Sequence, residues 1–478
     1  MIPILSPGTR PKVHFSGIGG TGMVAGARLA VQAGWEVRGS DNPLYPPTST
    51  MVAALGVPVA VTYAAENLSW DPDIVVLGNA LSRGNPEVEA ALDHGLHYVS
   101  LAEWMKDAVL RARRPVAICG THGKTTTTAL TAFVLDQCGL SPGYFIGGQP
   151  LDFEHSARIG SPGAPFVIEG DEYDTAFFDK RAKFFHYIPD IAVVTSIEFD
   201  HGDIYPNVEE IQTAFIRMLR QIRRGGHLVT CADNPRALSL REHAPCNVLT
   251  YGFAENSTVR WNGGGHEDSF QCMQVTYEGE PLGEFHVPLA GQHNAQNALA
   301  AIAVATLLGA DPDAIRAAIR QFKGVKRRME IFLEANDIVF VDDFAHHPTA
   351  IRETIKAAKS RWPDRRLWVL FEPRSNTTVT KAFQADLAES FEQADRVWLG
   401  PIYRADRIPE SERLVKSEVV NALQEKGLQA GTSDRVEDIV AVLECDVLPG
   451  DVVLFLSNGA FGGIYDMVKG RFGARTTV

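Results

Sequence analysis

Apolar residues fall along the chain in two rhythms that take turns. Short runs rich in Val, Ile and Phe, such as KVHFS (12–16), WEVRGSD (35–41), DIVVLG (73–78) and HYVS (97–100), alternate with alanine-rich segments. In those segments the apolar positions recur about every 3.6 residues, the period of an amphipathic helix. Mostly apolar strands separated by such helices build a parallel sheet, because each parallel crossover needs a helix and covers a face of the sheet.

The alternation restarts at PVAICG (115–120) and continues through APFVIEGDE (164–172), DIAVVTSIEFDH (190–201) and GHLVTCADNP (226–235). A glycine-rich polar run at 255–270 reads as an exposed loop before two edge strands, FQCMQVTYE (270–278) and GEFHVPL (283–289), and the helix NAQNALAAIAVATLLGA (294–310). A third series, DIVFVDDF (337–344), RLWVLFEP (366–373), DRVWLGPI (395–402) and DVVLFLSNG (451–459), forms a smaller unit of the same kind. The charged joints RARRP (111–115) and FKGVKRRMEIF (322–332) separate the three series. The predicted chain is α/β in three domains: 1–112, Rossmann-like; 113–325, a central domain of the P-loop ATPase type; and 326–478, again Rossmann-like.

With 478 residues, each domain can bury a core of its own. The net charge of −13 argues against a nucleic-acid binder, which needs a basic footprint, but leaves room for a local cationic pocket and a small anionic substrate. The start, MIPILSPGTRPK, lacks the pattern of an export signal, and no run of about eighteen apolar residues follows. The expectation is a cytoplasmic protein with no membrane contact and no obligate protein partner. Six cysteines without C-x-x-C spacing read as reduced thiols, forming neither a disulfide framework nor a zinc site.

The candidate chemistry lies where strands give way to helices. In AICGTHGKTTTTALTAFVL (117–135), the polar turn Gly120, Thr121, His122, Gly123, Lys124, Thr125, Thr126 interrupts a strand running into a helix. Unpaired N–H groups at such a helix start cradle phosphates, with Lys124 on the outer phosphates and the Thr125 hydroxyl on a magnesium ion. The usual phosphate loop has glycine where Ile118 stands, so the turn is a shorter variant.

Glu169 and Asp171 to Asp174 follow one strand, and Glu198, Asp200 and His201 another; they are magnesium ligands or helix caps. Gly17, Gly19 and Gly22, with Asp41 beyond, have the spacing of a dinucleotide fingerprint, a geometry that serves equally for the diphosphate of a nucleotide sugar. Lys323, Lys326, Arg327 and Arg328 are a solvated charge run or a cationic clamp on a transferring phosphoryl group. Asn294 and Asn297 either meet a purine edge or cap a helix. Asp342, Asp343, His346 and His347 end a strand, and at most one of the adjacent histidines faces a site.

Taken together these segments resemble the Mur ligase family, the ATP-dependent amide ligases of bacterial cell-wall precursor assembly, over practically the full length. GTHGKTTT is similar to that family's phosphate loop, HNAQN to its adenine-side asparagine segment, GVKRR to its arginine between the last two domains, and DDFAHHP to its C-terminal nucleotide motif. The resemblance implies ATP and Mg2+ as cofactors, with Thr125, Glu169 and His201 holding metal and Lys124 on the β/γ-phosphates. It places Arg327 on a phosphate or the incoming peptide, Asp343 on the ribose or in an ordering contact, and His346 on the nucleotide side. Gly17, Gly19, Gly20, Gly22, Asp41 and Ser82 would face a UDP-sugar.

Within the family, EGDEYDTAFFDKRAKFFHYIPD (169–190), EFDHGDIY (198–205), YPPTST (45–50), FEPRSNT (371–377) and SNGAFGGIY (457–465) are most similar to members that join UDP-N-acetylmuramate to the murein tripeptide L-alanyl-γ-D-glutamyl-meso-diaminopimelate. The turn GIGGTGM (17–23) is closer to members that add L-alanine to the same UDP-sugar, the alternative reading. DNPR (233–236) repeats the letters of a diaminopimelate motif but lies in the central block, so no role is assigned to it.

Overall fold

The computed structural model describes residues 10–200, 202, 204–267, 270–376 and 378–473. Three sheets follow one another along the chain, each covered by helices. The first is five-stranded and wholly parallel. Lys12–Ser16 lies at its centre, with Glu36–Ser40 and Val59–Ala60 on one side and Ile74–Leu77 and Tyr98–Ser100 on the other. Connections leave the central strands in opposite directions, and the crevice this opens at their C-terminal ends is where such sheets hold ligands.

In the middle sheet the strands from Gly143–Phe145 to Val259–Trp261 run parallel, with Arg114–Cys119 between Pro165–Gly170 and Ile191–Val194. An antiparallel extension of Phe270–Tyr277, Glu280–Val287 and the short His266–Glu267 completes one edge. Glu278 and Gly279, both at positive φ, form the two-residue turn between the two long strands, the geometry that matches strand twist.

The helix Lys124–Gln137 is buried along most of its length despite four successive threonines, because Gln292–Leu307 lies beside it on the same face of the sheet and Pro312–Gln321 packs against it as well. Leu130, Phe133 and Val134 share a core with Ala298, Ile302 and Phe322, each large side chain contributing about 1.5–3 kcal/mol on burial. This packing holds the phosphate-type turn rigidly against the sheet.

The third sheet has six strands. Glu330–Ala335 is antiparallel to Ile338–Asp343, and the rest are parallel. Residues 330–335 are thus a strand, where the sequence suggested only the end of a charged joint; Asn336 and Asp337, both at positive φ, make the hairpin turn. Among the described residues no helix is long and apolar enough to cross a membrane.

Candidate active site

The polar turn after Arg114–Cys119 is shaped by two glycines. Gly120 has φ +121, and a Cβ there would stand 2.3 Å from Thr195 Oγ1 and 2.8 Å from the Ser196 backbone nitrogen. Gly123 has φ +79, with Asn297 Oδ1 2.5 Å from where a Cβ would be. No other residue fits either place without moving backbone or a buried side chain. The Thr121 N–H donates to Ser196 O (2.9 Å) and the His122 N–H to Ser196 Oγ (3.1 Å), tying the turn to the neighbouring strand end. No side chain caps the helix Lys124–Gln137, so its first-turn N–H groups and positive dipole end are presented outward.

Lys124 folds back over this turn. Its Nζ donates to Gly120 O (2.7 Å) and lies 2.8 Å from Glu172 Oε2. Burial alone would lower the lysine pKa, but Glu172 and Asp171 outweigh it and keep the ammonium charged. The Thr125 hydroxyl donates to Glu169 Oε1 (2.9 Å), and Glu169 Oε2 accepts the Gly147 N–H (2.9 Å). A hydroxyl and a carboxylate side by side beneath a phosphate-type turn are the hard oxygen donors that magnesium takes, leaving room for its waters.

Across the turn, His122 Nε2 lies 3.3 Å from Glu198 Oε2. The same carboxylate oxygen accepts the Thr349 hydroxyl (2.7 Å) from the start of the C-terminal helix Pro348–Arg361. His347 donates from Nε2 to Phe199 O (3.2 Å), its Nδ1 accepts the Thr349 N–H, and its ring lies 4.9 Å from that of His122. Burial would raise the Glu198 pKa; the hydrogen bonds and charge of His122, then Thr349, reverse this and hold it down at about 2. Of the two adjacent histidines, His347 therefore faces the junction. His346 turns its Nδ1 to Phe344 O (3.0 Å) and is buried enough to lower its pKa to about 4.

Several expected residues stand elsewhere. Arg327 does not reach the turn: it pairs with Asp342 (3.0 Å), donates to Ser457 O (2.6 Å) and lies over the Phe344 ring. Arg328 is the arginine beside the turn, with Nη2 3.5 Å from Thr125 Oγ1. Both guanidinium groups lie over the Phe344 ring, 5.3 and 5.0 Å from its centre, and differ in the polar partners they reach; Arg327 (φ +59) and Met329 (φ +53) are both left-handed.

Asn294 and Asn297 are buried behind the turn. Asn297 Oδ1 accepts the Thr127 hydroxyl (3.0 Å), its Nδ2 donates to Asn294 Oδ1 (3.1 Å), and Asn294 Nδ2 donates to Ala290 O (2.8 Å). Asp343 is likewise internal, accepting the N–H groups of Met329 and Ala345 (2.8 Å each), an ordering contact. His201 lies outside the described residues. In DNPR, Asp233 accepts the Phe253 and Ala254 N–H groups and Asn234 caps Pro235–Ser239, structural tasks that account for both.

In the first crevice the Gly17 and Ile18 N–H groups donate to Ser40 O (2.9 and 3.1 Å). The Gly19 N–H donates to Asp41 Oδ2 (2.7 Å), and Asp41 Oδ1 accepts the Tyr63 hydroxyl (2.8 Å). Asp41 thus shapes the glycine turn. Gly20 leads into Thr21–Gln32, which no side chain caps, and Gly22 lies against Leu101. Ser82 is exposed and follows Leu81, which packs on Gly17. Tyr63 and the buried Glu87 beneath the turn escaped sequence reasoning, because nothing local marks a residue whose partner is dozens of positions away.

Comparison with known proteins bears on all three units. The description "Mur ligase family, catalytic domain" matches residues 12–113, "Mur ligase middle domain" residues 118–305, and "Mur ligase, glutamate ligase domain" residues 327–459. The UDP-N-acetylmuramate–L-alanyl-gamma-D-glutamyl-meso-2,6-diaminoheptandioate ligase of Escherichia coli (strain K12) is 38% identical over 455 residues, covering 95% of this chain and 96% of that one. The UDP-N-acetylmuramate–L-alanine ligase of Roseiflexus sp. (strain RS-1) is 35% identical over 466 residues, covering 93% and 96%.

Among solved structures, a murein peptide ligase from Psychrobacter arcticus 273-4 superposes with a TM-score of 0.70 at 34% identity, covering 98% of this chain and 99% of that one. A UDP-N-acetylmuramate–alanine ligase from Thermotoga maritima gives 0.78 at 27%, covering 97% and 99%. With all three units matched in order around one phosphate-type turn, the chain belongs to the Mur ligase family.

Proposed function

We propose that the chain is an ATP-dependent ligase that joins the lactyl carboxylate of UDP-N-acetylmuramate to the α-amine of L-alanyl-γ-D-glutamyl-meso-diaminopimelate, in the recycling of cell-wall peptide in the cytoplasm. The observation that carries the ATP-dependent chemistry is the arrangement of Lys124 and the Thr125–Glu169 pair at an uncapped helix start. The choice of acceptor rests on the 38% identity to the Escherichia coli relative and on the segments that resemble tripeptide-adding members.

A carboxylate is a poor acyl donor until one of its oxygens is bound to a good leaving group. The lactyl carboxylate oxygen attacks the γ-phosphorus of ATP, ADP departs, and an acyl phosphate forms. The amine nitrogen then attacks the acyl carbon, loses a proton, and phosphate leaves. The chain's part is positioning and charge neutralisation. Lys124 exchanges Glu172 for the β/γ-phosphates, and the first-turn N–H groups hold phosphate oxygens. Thr125 and Glu169 would hold Mg2+, whose charge would offset the negative charge of the phosphates. Arg328 faces the transferring group. Glu198, Thr349 and His347 seat the C-terminal unit on the central one and exclude water that would hydrolyse the acyl phosphate. Gly17, Gly19, Gly20, Gly22 and Ser82 form the crevice for the UDP-sugar. The work is divided among units 1–112, 113–325 and 326–478.

A second reading, L-alanine as acceptor, draws on the GIGGTGM turn and the TM-score of 0.78 with the alanine ligase. One experiment decides: purified protein with ATP, Mg2+ and UDP-N-acetylmuramate is given tripeptide or L-alanine, and ADP and product mass are followed. Tripeptide-dependent ADP release with the tripeptide adduct supports the proposal; the alanine adduct alone replaces it with the second reading, and no acceptor-dependent ADP rejects both.

A further inference from the structure

The antiparallel edge of the middle sheet carries a group of side chains that the ligase chemistry does not use. Cys272 on Phe270–Tyr277 and His286 on Glu280–Val287 are direct cross-strand partners, so their side chains emerge on one face. Glu267 comes from the short outer strand beside them. Cys272 Sγ is 3.7 Å from His286 Nδ1 and 4.0 Å from Glu267 Oε2, and His286 Nδ1 is 3.9 Å from that same oxygen. Cys272 is only 8% exposed, while Glu267 reaches solvent.

We infer that Cys272, His286 and Glu267 form a binding site for a divalent transition metal of the zinc type. The argument is geometric. Ligand atoms around a tetrahedral zinc stand roughly 3.3–3.6 Å apart, given bonds near 2.3 Å to sulfur and 2.0–2.1 Å to nitrogen and oxygen. The three separations exceed that by only about half an ångström, within reach of small side-chain rotations.

The supporting groups point the same way. His286 Nε2 lies 3.1 Å from Glu284 Oε1, and Glu284 is itself held by Gln274 Nε2 (2.5 Å). A carboxylate on one ring nitrogen fixes the proton there and leaves the lone pair of Nδ1 directed at Cys272 and Glu267, the orientation found behind metal-bound histidines. Phe270 packs edge-on to the imidazole at 6.0 Å and restricts its rotation. Two carboxylates flank His286, Glu267 at 3.9 Å and Glu284 at 3.1 Å, and their charge favours a cation.

Thiolate and imidazole select zinc-like ions over magnesium, which separates this site chemically from the Thr125–Glu169 pair. It lies five strands from Arg114–Cys119, about 24 Å across the sheet. On binding, the Cys272 S–H bond breaks, sulfur bonds the metal and the proton passes to solvent. The ion then ties three strands at an open sheet edge. The cysteine spacing gave no sign of this, since the ligands are brought together by strand pairing and not by proximity in the chain.

The test uses the full-length protein, stripped with a chelator and titrated with Co2+, then Zn2+. The wild type is expected to bind one equivalent with a thiolate-to-cobalt charge-transfer band in the near ultraviolet, displaced by Zn2+. Cys272→Ala should lose the band, and Glu284→Gln should weaken binding about 10-fold or more. Glu267→Gln, at an exposed carboxylate, should also weaken binding at least about 10-fold. A wild type without the band, Cys272→Ala that keeps it, or Glu267→Gln that binds Co2+ as the wild type does would each overturn the assignment.

Discussion

Lys124 Nζ lies 2.8 Å from Glu172 Oε2 in an ion pair whose side chains are 12% and 2% exposed. The cation that the helix start offers to phosphate is therefore paired with a buried carboxylate, and phosphate must replace that partner. Lys124→Met should lower turnover by about 10²–10³-fold, the usual loss on deleting one preorganised group that stabilises developing charge. It should also lower stability by about 3–5 kcal/mol, because Glu172 loses its counter-charge where water cannot compensate. The double variant Lys124→Met, Glu172→Gln should regain most of the stability and none of the turnover. ADP release and urea midpoints measure the two effects; a single variant turning over within a few-fold of wild type would remove Lys124 from the chemistry.

Arg327 and Arg328 should separate cleanly. Arg328→Ala is expected to reduce turnover by about 10-fold or more with its melting temperature little changed, since its Nη2 sits at the Thr125 hydroxyl on a partly open face. Arg327→Ala removes the partner of Asp342, whose carboxyl burial already pushes up in pKa, and should destabilise the C-terminal unit by on the order of 3 kcal/mol. Steady-state rates and thermal melts on both variants are sufficient. Equal effects of the two substitutions on rate and stability would show that the two arginines share one task.

The strands, the order of the three units and both glycine turns were legible because each is a local signal: apolar runs, helical periods, and glycines where φ is positive. The contacts that were not legible are those whose partners come from elsewhere in the chain. Asn294 and Asn297 open a helix in the sequence and read as caps or base contacts; with Gln292–Leu307 packed beside Lys124–Gln137, Asn297 donates to Asn294 and accepts from Thr127, a pairing across 170 positions that no local signal marks. Adjacent letters likewise do not reveal that Arg327 pairs with Asp342 while Arg328 reaches Thr125. Asp343 ends a strand, and of the two readings open for it the ordering contact is present: its carboxylate accepts the N–H of Met329.

The contact of Thr349 with Glu198 joins the C-terminal helix to the strand end beside the phosphate-type turn. A hydrogen bond to a charged acceptor contributes about 1.5–3 kcal/mol, enough to shift how tightly the C-terminal unit is held on the central one. Thr349→Val keeps the shape and deletes the donor. It should raise the number of ADP formed per amide bond, because a looser seat lets water reach the acyl phosphate. Counting ADP and product in the same reaction checks this, and an unchanged ratio would show that the contact does not guard the intermediate.

Glu87, fully buried beneath the first glycine turn, offers a prediction in pH. Its Oε2 accepts the hydroxyls of Ser16 and Ser40 (2.5 Å each), and its Oε1 accepts Asn67 Nδ2 (2.6 Å). Ser16 and Ser40 are the last residues of the two strands that frame the turn, so one carboxylate ties the floor of the crevice. Burial would raise the Glu87 pKa, but His14, Asn67 and the two serines outweigh it and hold it at about 2, below the unfolded value of about 4.3. Because the folded form binds its proton less readily, the stabilisation is complete above about pH 4.5 and drains away as pH falls toward 2. The shift corresponds to about 3 kcal/mol. Glu87→Gln should therefore lower the urea midpoint at pH 7 and flatten its fall between pH 5 and 3, while weakening UDP-sugar binding through the loosened strand ends. If the variant and the wild type lose stability in parallel over that interval, the carboxylate is not what holds the turn, and the crevice owes its shape to the Asp41–Tyr63 contact instead.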